Sequence, residues 1–213
     1  MKKIMLAVAV AVAALSVRAS LDGYFMLSLF SQGQLPSPAY SIYGGRLSLI
    51  YGDCHELHGL DLGMAGQTRE SLYGLQINGL WSGVGADLYG AQFALANTID
   101  RYAYGFQAGA FNLSSDAYGC QLSAINFSDD VNGAQLGLFN VSKDIYGCQL
   151  GAVNVAKDVY GCQISAVNVA KIVCGCQLGA VNVARKLYGC QIGVVNIETS
   201  ANNPAWIVLN IGW

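Results

Sequence analysis

The sequence predicts an all-β fold, a β-solenoid of tandem repeats 14–16 residues long, and three observations carry that prediction. The first is the repeat itself, clearest at YGCQLGAVNVAKDV from Tyr146 to Val159 and copied onward as YGCQISAVNVAKIV and CGCQLGAVNVARKL. A fixed short period of this kind is the signature of a stacked repeat architecture. The second is alternation. From Tyr160, the residues Tyr160, Cys162, Ile164 and Ala166 point one way and Gly161, Gln163 and Ser165 the other, the period of a strand and not of a helix. The third is composition: Val, Ile, Tyr and Phe are frequent and only three prolines occur in 213 residues, which suits sheet.

The frame of each copy is G-x-Q-x-(small)-x-x-N, usually with Tyr before the Gly. Its leading glycines run from Gly44 through Gly59, Gly74, Gly90 and Gly105 to Gly189, spaced 15, 15, 16 and 15 residues and then 14 six times. Eleven copies follow one another without a spacer. Gln holds the third position from Gln76 to Gln191, while Arg46 and Asp61 stand there in the two earliest copies. Asn holds the eighth position from Asn97 to Asn196. The fifth is small or short, as in Gly151, Ser165 and Gly179. Polar pairs such as Lys143-Asp144, Lys157-Asp158 and Arg185-Lys186 mark where the chain turns. The copies are degenerate up to about Tyr104 and regular after it.

Four segments follow in order. Residues 1–19 read as a secretory signal peptide, with Lys2 and Lys3 ahead of an apolar stretch from Ile4 to Leu15 and a small-residue cleavage site at Val17-Arg18-Ala19. The first cysteine, Cys54, lies far from that site, which argues against a lipoprotein. Residues 20–43 supply a first strand and a Gly/Pro/Ser loop, 44–201 the repeat array, and 202–213 a closing apolar strand that caps the open sheet edge. Loss of Lys2, Lys3 and Arg18 with the leader takes the net charge from −2 to −5. A mildly acidic chain without a basic patch argues against nucleic acid as a partner.

The run of G-x-Q-x-G-x-x-N copies behind a signal peptide, with LSLF, YGGRLSLIYG and HGLDLG early and an aromatic last residue, resembles a family of bacterial surface repeat-containing proteins. The resemblance implies export and a cell-surface or outer-membrane position, with an unidentified surface or envelope ligand as partner. It implies no reaction, no cofactor and no catalytic residue. Cys120, Cys148, Cys162, Cys176 and Cys190 stand where Leu or Val is commoner in that pattern.

Two architectures satisfy the alternation. In a solenoid each copy is one coil of two short strands and two turns, stacked in parallel about 4.8 Å from the next. Like residues then form ladders, and a buried Asn ladder satisfies its own amides. In an antiparallel outer-membrane β-barrel each copy is one strand, Tyr forms the interfacial girdles and Gln lines a polar lumen, giving a pore or transport-type protein. One early strand, eleven copies and a last strand make an odd number, against the even numbers of bacterial barrels. Equivalence of every copy to the next is the symmetry of stacking, which favours the solenoid.

No set of residues reads as catalytic, cofactor-binding or metal-binding, so a non-enzymatic scaffold or interaction surface is expected. Asp53-Cys54-His55-Glu56-Leu57-His58 gathers thiol, imidazole and carboxylate, all suitable zinc ligands. His58, however, occupies the Tyr column, and no second ligand cluster follows. Paired glycosidase carboxylates would have to come from Asp53, Asp61, Asp87 or Asp100, and nothing marks two of them together. Cys148, Cys162, Cys176 and Cys190 share a column on the apolar face, expected to pack as small buried hydrophobes, with disulfides between neighbours as the alternative. The Gln column is expected to decorate a solvated face.

Overall fold

The computed structural model describes residues 22–212, so the signal peptide expected at 1–19 lies outside the described residues. Strands run in the order β1 (Asp22–Ser28), β2 (Gln34–Leu35), β3 (Ser41–Cys54), β4 (Leu57–Thr68), β5 (Leu72–Val84), β6 (Leu88–Phe93) and β7 (Ala96–Ala108). They continue as β8 (Phe111–Leu122), β9 (Ile125–Leu136), β10 (Phe139–Leu150), β11 (Val153–Val155), β12 (Asp158–Ile164), β13 (Val167–Leu178), β14 (Val181–Glu198) and β15 (Ala205–Gly212). The described residues contain no helix. Two compact units divide between Arg101 and Tyr102, close to where the repeat changes from degenerate to regular.

Each unit is a β-solenoid, because consecutive copies pair in parallel and in register. In the second unit Gly147 lies opposite Gly161, Cys148 opposite Cys162 and Gln149 opposite Gln163, and the same offset of one copy continues into β13 and β14. A barrel with one strand per copy requires antiparallel neighbours, so the parallel ladder overturns the outer-membrane barrel and the pore reading that went with it. In the first unit β3, β4 and β5 are likewise parallel. Register shifts between Ser48 and Tyr51 and between Gly63 and Ala65 absorb the extra residues of its 15- and 16-residue copies as bulges. Among the described pairings the antiparallel ones lie at the two ends, β2 against β1 and β15 against β14.

Two corners shape each coil. One is the fifth and sixth positions, Gly151-Ala152, where the strand is interrupted. The small residue there clears the stacked backbone and the Asn ladder, since a Cβ on Gly151 would collide with Gly137 O and lie 2.8 Å from Asn140 Nδ2 and 3.1 Å from Asn154 Oδ1. The other corner is the expected polar pair, with the break at Ala156-Lys157 between β11 and β12. In β13 the strand bends through it unbroken. Buried positions change parity across both corners, from Gln163 to Asn168 and from Ala170 to Val173.

The interior reverses the expected polarity. Gln149, Gln163, Gln177, Asn154, Asn168 and Asn182 are fully buried, whereas Tyr160 and Ile164 are each more than 40% exposed. The Gln column therefore does not decorate a solvated face; it fills the lumen. Burial of an amide is tolerated only when its hydrogen bonds are made, and stacking makes them. Gln163 Nε2 donates to Gln149 Oε1 at 2.8 Å, and Gln177 Nε2 donates to Gln163 Oε1 at 2.7 Å. Beside the amides runs a narrow apolar row that includes Val131, Ile145, Val159, Val173 and Leu187.

The Asn ladder gives a first expected result. Asn168 Oδ1 accepts from Asn154 Nδ2 at 3.1 Å and from Ser165 Oγ at 2.8 Å, while Asn168 Nδ2 donates to Leu178 O and to Asn182 Oδ1. Asn168→Ala strands buried partners in both neighbouring coils and should cost about 1–3 kcal/mol in denaturant unfolding. A loss within about 0.5 kcal/mol, the size of an ordinary surface substitution, would remove the ladder from the account of stability.

Candidate interaction surface

The residues singled out for chemistry are dispersed by the fold. Asp53 forms an ion pair with Arg69, and Cys54 is buried with its Sγ 3.0 Å from Arg46 Nη1. His58 stacks between Tyr43 and Tyr73, with ring centroids 4.5 Å away on each side. It is a member of the aromatic column, and its Nε2 reaches Glu56 Oε2 at only 3.4 Å. Among the described residues no three metal-ligating side chains converge. Of the carboxylates weighed for hydrolysis, Asp53, Asp61 and Asp87 are each tied to a different arginine: Arg69, Arg46 and Arg101.

One constellation escaped the sequence reading. Arg46 and Asp61, the two departures from Gln in the third column, are adjacent in register and both completely buried. Arg46 Nε donates to Asp61 Oδ1 at 2.8 Å and Arg46 Nη2 to Asp61 Oδ2 at 2.6 Å, a bidentate pair. Gln76 Nε2 and Asn78 Nδ2 also donate to Asp61 Oδ2, joining the pair to the amide ladder. Burial opposes the charge on Arg46, but the hydrogen bonds and charge of Asp61 outweigh it and hold the guanidinium pKa above its ordinary value. Burial pushes the Cys54 thiol up, with Arg46 pulling the other way. The signal available in the sequence was charge complementarity one copy apart in one column.

What remains for contact with other molecules is the outside of the coils. Tyr146 and Tyr160 stack at 4.9 Å on it, and Tyr43, His58, Tyr73 and Tyr89 form a continuous stack in the first unit. Next to Tyr160 come Cys162 and Ile164 on the same strand, and around the corner Val167 and Val169. The earlier coils carry Phe111 and Phe139 at the position of Val167 and Phe127 at that of Val169, each close to half exposed.

The cysteine column belongs to this surface. Cys148, Cys162, Cys176 and Cys190 are in register, half-buried and unpaired. They are not the buried packing residues expected, because their face points outward. Partial burial still pushes the Cys148 and Cys176 thiols up. Compared with known proteins, the chain matches no family model, no curated protein and no solved structure.

Proposed function

We propose that this chain is an exported, non-enzymatic protein of a bacterial cell surface or outer membrane, whose repeat array serves as a scaffold and interaction surface. The observation that carries the reading is the inversion of polarity. Rows of Tyr, Leu, Ile, Val and Phe stand on the outside of coils whose interior is held by amides. Contiguous exposed apolar area on this scale marks a surface that meets another molecule. The amide ladders make the scaffold self-sufficient, so the outer rows are free to be used for contact. The signal-peptide pattern of residues 1–19 and the resemblance to surface repeat proteins support the envelope as its location.

Expression of the full chain in a Gram-negative host tests this. The expected product begins at residue 20 by mass spectrometry and fractionates with the envelope. An unprocessed chain recovered from the cytoplasm would overturn the proposal.

A further inference from the structure

We infer that the second unit, Tyr102–Trp213, seats in one leaflet of a lipid bilayer by the uncharged corner of its coils; this rests on the reading of the chain as an envelope protein. Polarity around each coil is graded. Every charged side chain from residue 105 to residue 198 falls in the corner that Ala156, Lys157 and Asp158 mark. Moving away from that corner along β12, the outward residues are Tyr160, then Cys162, then Ile164. The opposite corner is Ser165-Ala166, and the far face returns through Val167 and Val169 to Lys171. Charge, then aromatic ring, then aliphatic side chain is the order of a bilayer from water through headgroups to acyl chains.

The dimensions agree. Tyr160 and Ile164 are four residues apart on an extended strand, about 13 Å at about 3.3 Å per residue. Half of a hydrocarbon core about 30 Å thick is about 15 Å. With Tyr at the headgroups, the uncharged corner reaches into one leaflet and does not span.

A second observation points to the same partner. Hydrocarbon accepts backbone only when its polar groups are bonded internally, and five amides of the uncharged corner are bonded in this way. Gly151 N donates to Ile164 O, Ala152 N and Val153 N to Leu138 O, Ser165 N to Leu178 O, and Val167 N to Ala152 O. The Ser165 hydroxyl is turned inward onto Val167 O and Asn168 Oδ1. A second copy of the chain would cover one flat face and leave the other in water. Lipid covers both faces and the corner between them at once.

The test is flotation of the purified full chain with vesicles of phosphatidylethanolamine and phosphatidylglycerol. The chain should float, and a charged, membrane-impermeant maleimide should label Cys148, Cys162, Cys176 and Cys190 less with vesicles than without. Ile164→Glu should lower partitioning roughly a hundredfold, the penalty of a charge in hydrocarbon. Lys171→Glu, at the charged corner, should float as before. Should Ile164→Glu misfold, shielding of the native thiols decides. Failure of the wild-type chain to float, flotation of a folded Ile164→Glu, or thiols equally labelled with lipid would each overturn the inference. A dimer that forms without lipid and does not float would assign the face to a second copy instead. A chain that is exported but does not float sinks only this inference, whereas one that floats yet stays in the cytoplasm sinks only the envelope reading.

Discussion

Gly161→Ala should abolish stable folding of the second unit, at a cost above about 4 kcal/mol, beyond the range of ordinary substitutions. Two causes act together. Gly161 holds φ +152°, and the leading glycines from Gly44 to Gly189 all lie between +139° and +152°, a backbone region that L side chains rarely adopt. Its Cβ would also collide with the carbonyl oxygen of Gly147 in the coil below. That obstacle is backbone, itself hydrogen-bonded in the ladder, so no side-chain rotation relieves it. Gly79→Ala is the matched control, since a Cβ there meets nothing within 4 Å and its φ is not in the strained region. Thermal melts should separate the two sharply, with Gly79→Ala within about 0.5 kcal/mol of the parent. If Gly161→Ala melted alongside Gly79→Ala, close stacking of the glycine column would not be what holds the coils together.

Removal of one partner from the buried ion pair gives the second large effect. Arg46→Met leaves the Asp61 carboxylate in the lumen of the first unit with only the amides of Gln76 and Asn78 donating to it. Breaking a buried pair in this way costs about 3–5 kcal/mol, because an uncompensated charge stays desolvated. Replacing both members is a different matter, as neutral residues that pack and bond can equal or exceed a buried ion pair. Arg46→Gln with Asp61→Gln would extend the amide column that Gln76 and Gln92 already form through a 2.9 Å hydrogen bond. The double variant should therefore be more stable than Arg46→Met in urea unfolding. A double variant no better than the single would mean that the pair has a structural role which a Gln ladder cannot supply.

The contrast between those substitutions shows where sequence reasoning reached and where it stopped. That Arg46 and Asp61 share a column with nine glutamines is visible by counting from each leading glycine. That the column lies inside, so that its two charges must pair, is not visible. The 53–58 cluster is a similar case. Six consecutive residues suggest a common site, but they straddle the corner between β3 and β4, where the buried parity changes, so Cys54 enters the lumen and His58 joins the outer aromatic stack.

By itself the sequence predicted that the chain is all-β and favoured copies stacked in register, Gln on Gln and Asn on Asn, over an antiparallel barrel; the parallel ladder decided between the two. Only the tertiary structure decided which face is inside. Alternation divides residues into two sets and is silent about which one faces water. Hydrophobicity alone puts Tyr160, Cys162 and Ile164 inward, but that rule compares side chains one at a time. Stacked coils let Gln163 and Asn168 satisfy their amides from the copies above and below, which removes the penalty of burying them. That satisfaction exists only once the coils are assembled, so no single copy could reveal it.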